Sequence, residues 1–360
     1  MNSSARLSDL SSLVRSLKAP VTTIAQNAKS FIAGDAEGIA SAWSITDGAP
    51  LWSINLEPSV SSIVFANGIV AIAHGASITA VNPDDGAIIW TIPVDGACDF
   101  VVFDNQSLWV TSSVYEIEIE DYVACRIMRI EPRRGVVEQS ISLPSKAWTL
   151  DAFGRGCILG LGRPQPGIYT IKTGKDDLHH LEDSPRAPIS YSSISSDNRM
   201  SFTTSDSHAI QIDQVGKIID TAKDVVLAGF THDGRWTTYN QNGEAGNAEP
   251  DDEDLNGFPQ HFTSTDEMTL LATRKPDSFG TVFIGKIRMN WTHTSEITTV
   301  HSYLDRTVLG CLNGEVLLLE TNVLKRRITK PEFSDEDDSL IRARLRMLRF
   351  GDKSNTLEEK

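Results

Sequence analysis

The sequence predicts an all-β fold: a single β-propeller of eight four-stranded blades, with short helical extensions at the N- and C-termini. Two observations carry this expectation. The first is a spaced self-match. Ala42–Trp52 reads AWSITDGAPLW and Ala80–Trp90 reads AVNPDDGAIIW, with the two tryptophans 38 positions apart. Each copy runs from a small residue to a polar turn ending in Asp-Gly, then three residues and a Trp. A period of this length allows a four-stranded propeller blade. The second is a recurring unit of apolar strand, short polar turn and second apolar strand. It opens at Val21, Val60, Cys98, Ala147, Ile189, Val225, Gln260 and Ile297.

Each unit follows the same physical logic. The turns at Ala66-Asn67-Gly68, Asp104-Asn105, Asp197-Asn198, Asp233-Gly234 and Leu304-Asp305 carry hairpin chemistry, since Asn, Asp and Gly tolerate positive φ. The flanking runs are rich in Val, Ile, Phe and Thr, as strands are. Ile69–Ala73 and Val316–Leu319 are continuous apolar runs, expected of strands buried on both faces. One such sheet cannot bury both faces alone, so the units stack radially and close into a ring.

The chain reads as one domain at residues 21–328, flanked by two extensions. In residues 1–20, Leu7, Leu10, Leu13, Val14 and Leu17 recur at helical spacing, and Pro20 ends the stripe. A short amphipathic helix is expected there. The third unit is long, and its extra residues include Tyr115–Asp121, YEIEIED, read as a lengthened hairpin with one wet face. The sixth holds the acidic stretch Glu244–Gly257 and should be the least regular blade. If its outer strands are missing, seven blades is the alternative count. Residues 329–360 comprise an acidic linker, a short amphipathic segment at Leu340–Phe350 and a tail. In that segment Ile341, Leu345 and Leu348 share one helical face, and Arg342, Arg346 and Arg349 another. These six residues are the candidate partner-binding set. A strand is the alternative there.

Composition narrows the function classes. The 360 residues are 40% hydrophobic and 22% charged, which is globular composition. The formal net charge of −15 repels phosphate backbones, so nucleic acid is not an expected partner. No window approaches about 18 apolar residues, so no membrane span is expected. The N-terminus lacks an unbroken apolar core of signal-peptide length, and the expected compartment is the cytoplasm. Cys98, Cys125, Cys157 and Cys311 are scattered and form no CxxC pair, so they read as buried free thiols rather than zinc ligands.

The Asp-Gly-x-x-x-Trp motif resembles the tryptophan-docking motif of PQQ-like (quinoprotein-type, WD40-like) β-propeller repeats. Ala80, Asn82, Asp85, Gly86 and Trp90 match every fixed place, and Ala42, Asp47, Gly48 and Trp52 match with Ser44 in the Asp/Asn place. Later units fade: Gly135 leads to Gln139, Gly174 to His179, and Gly216 to Asp220. The resemblance implies that Trp52 and Trp90 dock between blades against the glycine turn of a neighbour. Gly48, Trp52, Gly86 and Trp90 are therefore expected to be structural. The quinone enzymes of the family would also imply a bound quinone, a Ca²⁺ ion and usually a vicinal cysteine pair. This sequence has no Cys-Cys pair and no compact oxygen-ligand constellation, so no cofactor, no metal and no quinone dehydrogenase activity are expected.

Two functions follow. The leading expectation is a non-catalytic scaffold for protein–protein interaction within a cytoplasmic complex, with protein partners at a flat face, at the acidic Glu249–Asp254 loop or at the C-terminal segment. The alternative is a small-molecule-binding or hydrolytic propeller that uses its axial cavity. Asp99, Asp151, Tyr191 and His261, near the openings of units, are its candidate residues.

Overall fold

The structure is a computed structural model that describes residues 5–175, 177–246, 257–274, 278–284 and 287–329. Eight sheets follow one another along the chain. The first strand of each is innermost: Val21–Gln26, Val60–Ala66, Ala97–Phe103, Ala147–Ala152, Ile189–Ile194, Leu227–Phe230, Phe258–Ser264 and Ile297–Tyr303. Each inner strand packs against the next, and the last against the first, so the sheets close into a ring. These starts fall within two residues of the sequence-derived openings. The five turns read as hairpins each hold a residue at positive φ: Asn67, Asn105, Asn198, Gly234 and Leu304. The blade count is eight. The sixth sheet is the least regular, with three strands among the described residues: Leu227–Phe230, Trp236–Tyr239 and Ala245–Gly246.

The N-terminal expectation needs correction. Helix there is confined to the single turn Leu7–Leu10. Ala5–Arg6 pairs parallel with Ile287–His293 of the seventh blade. Leu13–Ser16 pairs antiparallel with Glu315–Glu320 of the eighth. The physical reason is an open edge. The last stretch of chain supplies only three strands to the eighth sheet, and the N-terminal strand satisfies the free backbone groups of the third. That pairing overrides the helical spacing of Leu13, Val14 and Leu17. The ring is thus closed by both ends of the chain and begins before residue 21. Helix Thr321–Thr329 follows the eighth sheet, within the residues read as propeller. Its Leu324 is buried with Leu7, Leu10 and Trp291.

One joint repeats around the ring. In seven of the eight inner strands the pairing slips by one residue at the same place, leaving Thr22, Ser61, Asp99, Trp148, Ser190, Gln260 or Thr298 bulged. A bulge re-aims a side chain out of the ladder. Three of these hydroxyls bridge blades. Thr22 Oγ1 reaches Gly34 O in its own sheet (3.1 Å) and Val60 O in the next (2.5 Å). Ser61 does the same with Ala73 O and Cys98 O, and Thr298 with Gly310 O and Val21 O. The residue before each bulge is a buried knob, and small residues receive it. Val60 sits over Gly34, Ile189 over Gly160 and Val21 over Gly310, where an added Cβ would collide.

Candidate functional site

The tryptophan joints lie farther out. Trp52, on outer strand Pro50–Asn55, is 8% exposed and lies against Gly86 in a turn of the second blade. Its indole Nε1 donates to Pro83 O at 2.8 Å. Trp90, on Ile88–Pro93, repeats this against Gly135, donating to Pro132 O at 2.9 Å. Gly86 has φ +72, and a Cβ there would lie 2.9 Å from the Trp52 ring. Where the motif fades, other chemistry fills the same place. Arg15 of the N-terminal strand covers Gly48 and donates Nε to its carbonyl at 2.7 Å. Gln139 donates to Lys175 O at 3.2 Å, and Leu181 lies beside Gly216. All are contacts between blades.

The long third unit builds a projecting hairpin. Strands Leu108–Glu116 and Asp121–Glu131 carry a turn in which Tyr115, Ile117, Ile119 and Val123 are exposed, Ile117 by 82%. Glu116, Glu118, Glu120 and Asp121 are exposed between them. The expected single wet face is therefore not formed: apolar and acidic side chains of the tip are exposed alike among the described residues. The base, in contrast, is fixed. Tyr122 meets Tyr115 and Trp148 edge-on, with ring centroids 5.1 and 6.4 Å apart. Lys146 Nζ lies 3.1 Å from both the Tyr122 hydroxyl and Asp99 Oδ1, and 4.4 Å from the Tyr122 ring centroid. Burial alone would lower the Lys146 pKa, but Tyr122 and Asp99 outweigh it and raise it. Asp99 thus belongs to this joint and not to the axis. Tyr122, Lys146 and Trp148 were not singled out from the sequence. The signal available was a Trp at a bulge where four other blades hold Thr or Ser.

The other three axial candidates do come together. Asp151, Tyr191 and His261 line a cavity of about 490 Å³ beside the inner strands of the fourth to eighth blades. Ser192 Oγ donates to Asp151 Oδ2 at 2.6 Å, and burial pushes the Asp151 carboxyl up. The Tyr191 hydroxyl passes the sixth blade and donates to Phe262 O of the seventh at 2.9 Å. His261 Nε2 pairs with Ile297 O at 2.9 Å. His301 lines the same cavity and was missed in the sequence. Burial holds both imidazoles down to about 4, so they are neutral at pH 7.

The Glu249–Asp254 loop and Ile341, Arg342, Leu345, Arg346, Leu348 and Arg349 lie outside the described residues. Among the described residues no three His, Cys, Asp or Glu side chains are placed to hold a metal ion. No helix among them is long and apolar enough to cross a membrane. All four cysteines are buried and free.

No protein-family model matches the chain, and the curated proteins give no match. Solved structures do match. The computationally designed Ika8 protein is 13% identical, with a TM-score of 0.66, over 85% of this chain and 98% of its own. The WD40 β-propeller domain of Doa1 is 9% identical, with a TM-score of 0.55, over 86% of this chain and 96% of its own. The fold is an eight-bladed β-propeller. At these identities the likeness of the propeller to its neighbours is one of fold alone.

Proposed function

We propose that this propeller is a non-catalytic scaffold that binds a protein partner through the third-blade hairpin, within a cytoplasmic complex. The exposed apolar tip on its fixed base supports this most strongly. Ile117 and Ile119 are 82% and 59% exposed at adjacent outward positions. Covering each side chain fully would contribute about 1.5–3 kcal/mol. The base aromatics hold the tip in place, so little ordering cost falls on binding. Glu116, Glu118, Glu120 and Asp121 form no ion pair among the described residues. They call for a partner surface that is apolar with a basic rim, and they repel anionic lipid. The kinship with PQQ-like repeats is part of the same proposal and rests on the docked Trp52 and Trp90. Ile341, Leu345 and Leu348, with Arg342, Arg346 and Arg349, are a second partner segment in this proposal.

Quantitative affinity purification from the native cell tests the hairpin. Three chains are compared: the wild type, Ile117→Glu/Ile119→Glu, and a Val215→Glu control at another site 82% exposed. A partner set lost only from the hairpin variant is expected. Identical sets from all three would refute the hairpin as the docking element. Removal of residues 330–360 tests the tail in the same assay, and unchanged partners would exclude it.

A further inference from the structure

The hairpin leaves the axial cavity without a role, and the side chains there are not those of a finished structural joint. Asp151 is the telling group. The other enclosed carboxylates Asp35, Asp99 and Asp104 each have a counter-charge or at least two hydrogen-bond donors; Asp35 accepts from the Glu37 and Ile39 N–H groups. Asp99 faces Lys146 at 3.1 Å. Asp104 accepts from two backbone N–H groups, the Trp109 indole and the Thr173 hydroxyl. Asp151 has one hydrogen bond, from Ser192, and no cationic side chain pairs with it among the described residues. An enclosed carboxylate without a counter-charge is costly to keep ionised. The His301 ring, enclosed in the same wall, makes no hydrogen bond at either nitrogen among the described residues. A carboxylate with one hydrogen-bond donor and an imidazole with no partner among the described residues therefore share one cavity. Tyr191 is the aromatic residue of its wall; Phe230 and Phe262 border it but are buried in the inter-blade core, 2% and 3% exposed.

We propose that this axial cavity binds a small organic ammonium ion, with Asp151 as the counter-charge and Tyr191 beside the cation. The volume of about 490 Å³ suits a small molecule. An ammonium group supplies both things Asp151 lacks, a positive charge and further N–H donors. The ring of Tyr191 attracts the same charge. An anion would meet Asp151 with no cation to receive it, since His261 and His301 are neutral at pH 7. The site is independent of the hairpin: it stands if the scaffold role fails, and the scaffold role stands if it fails.

Calorimetric titration of the full chain tests it with four probes: phenethylamine, its isostere 2-phenylethanol, phenylacetate and glucose. Phenethylamine is expected to bind at least about tenfold more tightly than the alcohol, the effect of one charge-assisted contact. Phenylacetate and glucose should not compete. In Asp151→Asn, which still accepts from Ser192, the preference for amine over alcohol should fall below about threefold. Circular dichroism checks that this variant folds. The wild-type comparison of amine with alcohol decides the matter without it. A shift of the His301 ring resonances on titration would place the probe in this cavity. Equal binding of amine and alcohol, tighter binding of phenylacetate or glucose, or an amine affinity unmoved in folded Asp151→Asn would overturn the proposal. So would the absence of saturable amine binding up to about 10 mM.

Discussion

Replacing Gly86 and Trp52 singly and together measures how blades hold one another. Trp52 is 8% exposed and donates a hydrogen bond to the next blade, so Trp52→Ala should cost about 3–5 kcal/mol. Gly86→Ala has two separable costs. Its φ of +72 adds about 1–2 kcal/mol for any residue bearing a Cβ. The new Cβ, 2.9 Å from the indole ring, adds about 1–3 kcal/mol of overpacking. In the double variant the indole is gone and only the backbone cost remains. The two changes together should therefore cost less than their sum, by about 1–3 kcal/mol. Gly48→Ala is the control. Its φ of +67 is nearly the same, but the Cβ there meets the flexible end of Arg15, which can swing aside. Gly48→Ala should be milder than Gly86→Ala by a similar amount. Guanidinium unfolding followed by circular dichroism supplies the midpoints. Additivity within about 0.5 kcal/mol, or equal costs at Gly48 and Gly86, would show that the tryptophan does not bear on the neighbouring turn.

Three further outcomes are expected. Gly310→Ala drives a methyl into Val21 across the ring closure and should cost about 1–3 kcal/mol, with partial rescue by Val21→Ala; an unchanged melting temperature would argue against the knob-over-glycine joint. His261 and His301 titrate near 4 when folded and near 6.5 when unfolded, so the unfolded chain binds more protons below that value. Their contribution is complete above about pH 6.5 and is lost as pH falls toward 4, on the order of 2 kcal/mol each between pH 7 and 5. His261→Gln/His301→Gln should flatten the pH dependence of the urea midpoint, and an equally steep profile would contradict it. Burial pushes all four thiols up, Cys98 and Cys311 to about 12, so a disulfide reagent should label none until the chain unfolds. Rapid labelling of any one in the native state would contradict the burial.

The unit openings were legible in the sequence because the physics behind them is local. A buried knob, a bulge and a hairpin turn lie within a dozen residues, so their letters repeat. Joints between blades are legible only where one chemistry recurs. Trp52 on Gly86 and Trp90 on Gly135 could be matched to each other. Arg15 on Gly48 could not, because it joins the two ends of the ring and uses a guanidinium where others use an indole. The same distance effect hid the cluster of Asp99, Tyr122, Lys146 and Trp148, which two blades assemble. It also hid the contact of Ser192 with Asp151, which lie 41 positions apart. Leu13 and Val14 misled for the opposite reason. Their spacing is a local signal, but the open edge of Glu315–Glu320, some 300 residues away, decides their structure.

The weak sixth unit and the axial cavity lie side by side. Its inner strand, Leu227-Ala228-Gly229-Phe230, is the shortest of the eight, and a Cβ on Gly229 would collide with Phe262. Where Thr22, Ser61 and Thr298 bridge blades it has Val226, which brings no hydroxyl. Tyr191 makes up the span by reaching from the fifth blade to the carbonyl of Phe262 in the seventh. The cavity lies along these same strands. The short strand thus leaves the span between the fifth and seventh blades to a side chain, and Asp151 and His301 line the cavity beside it.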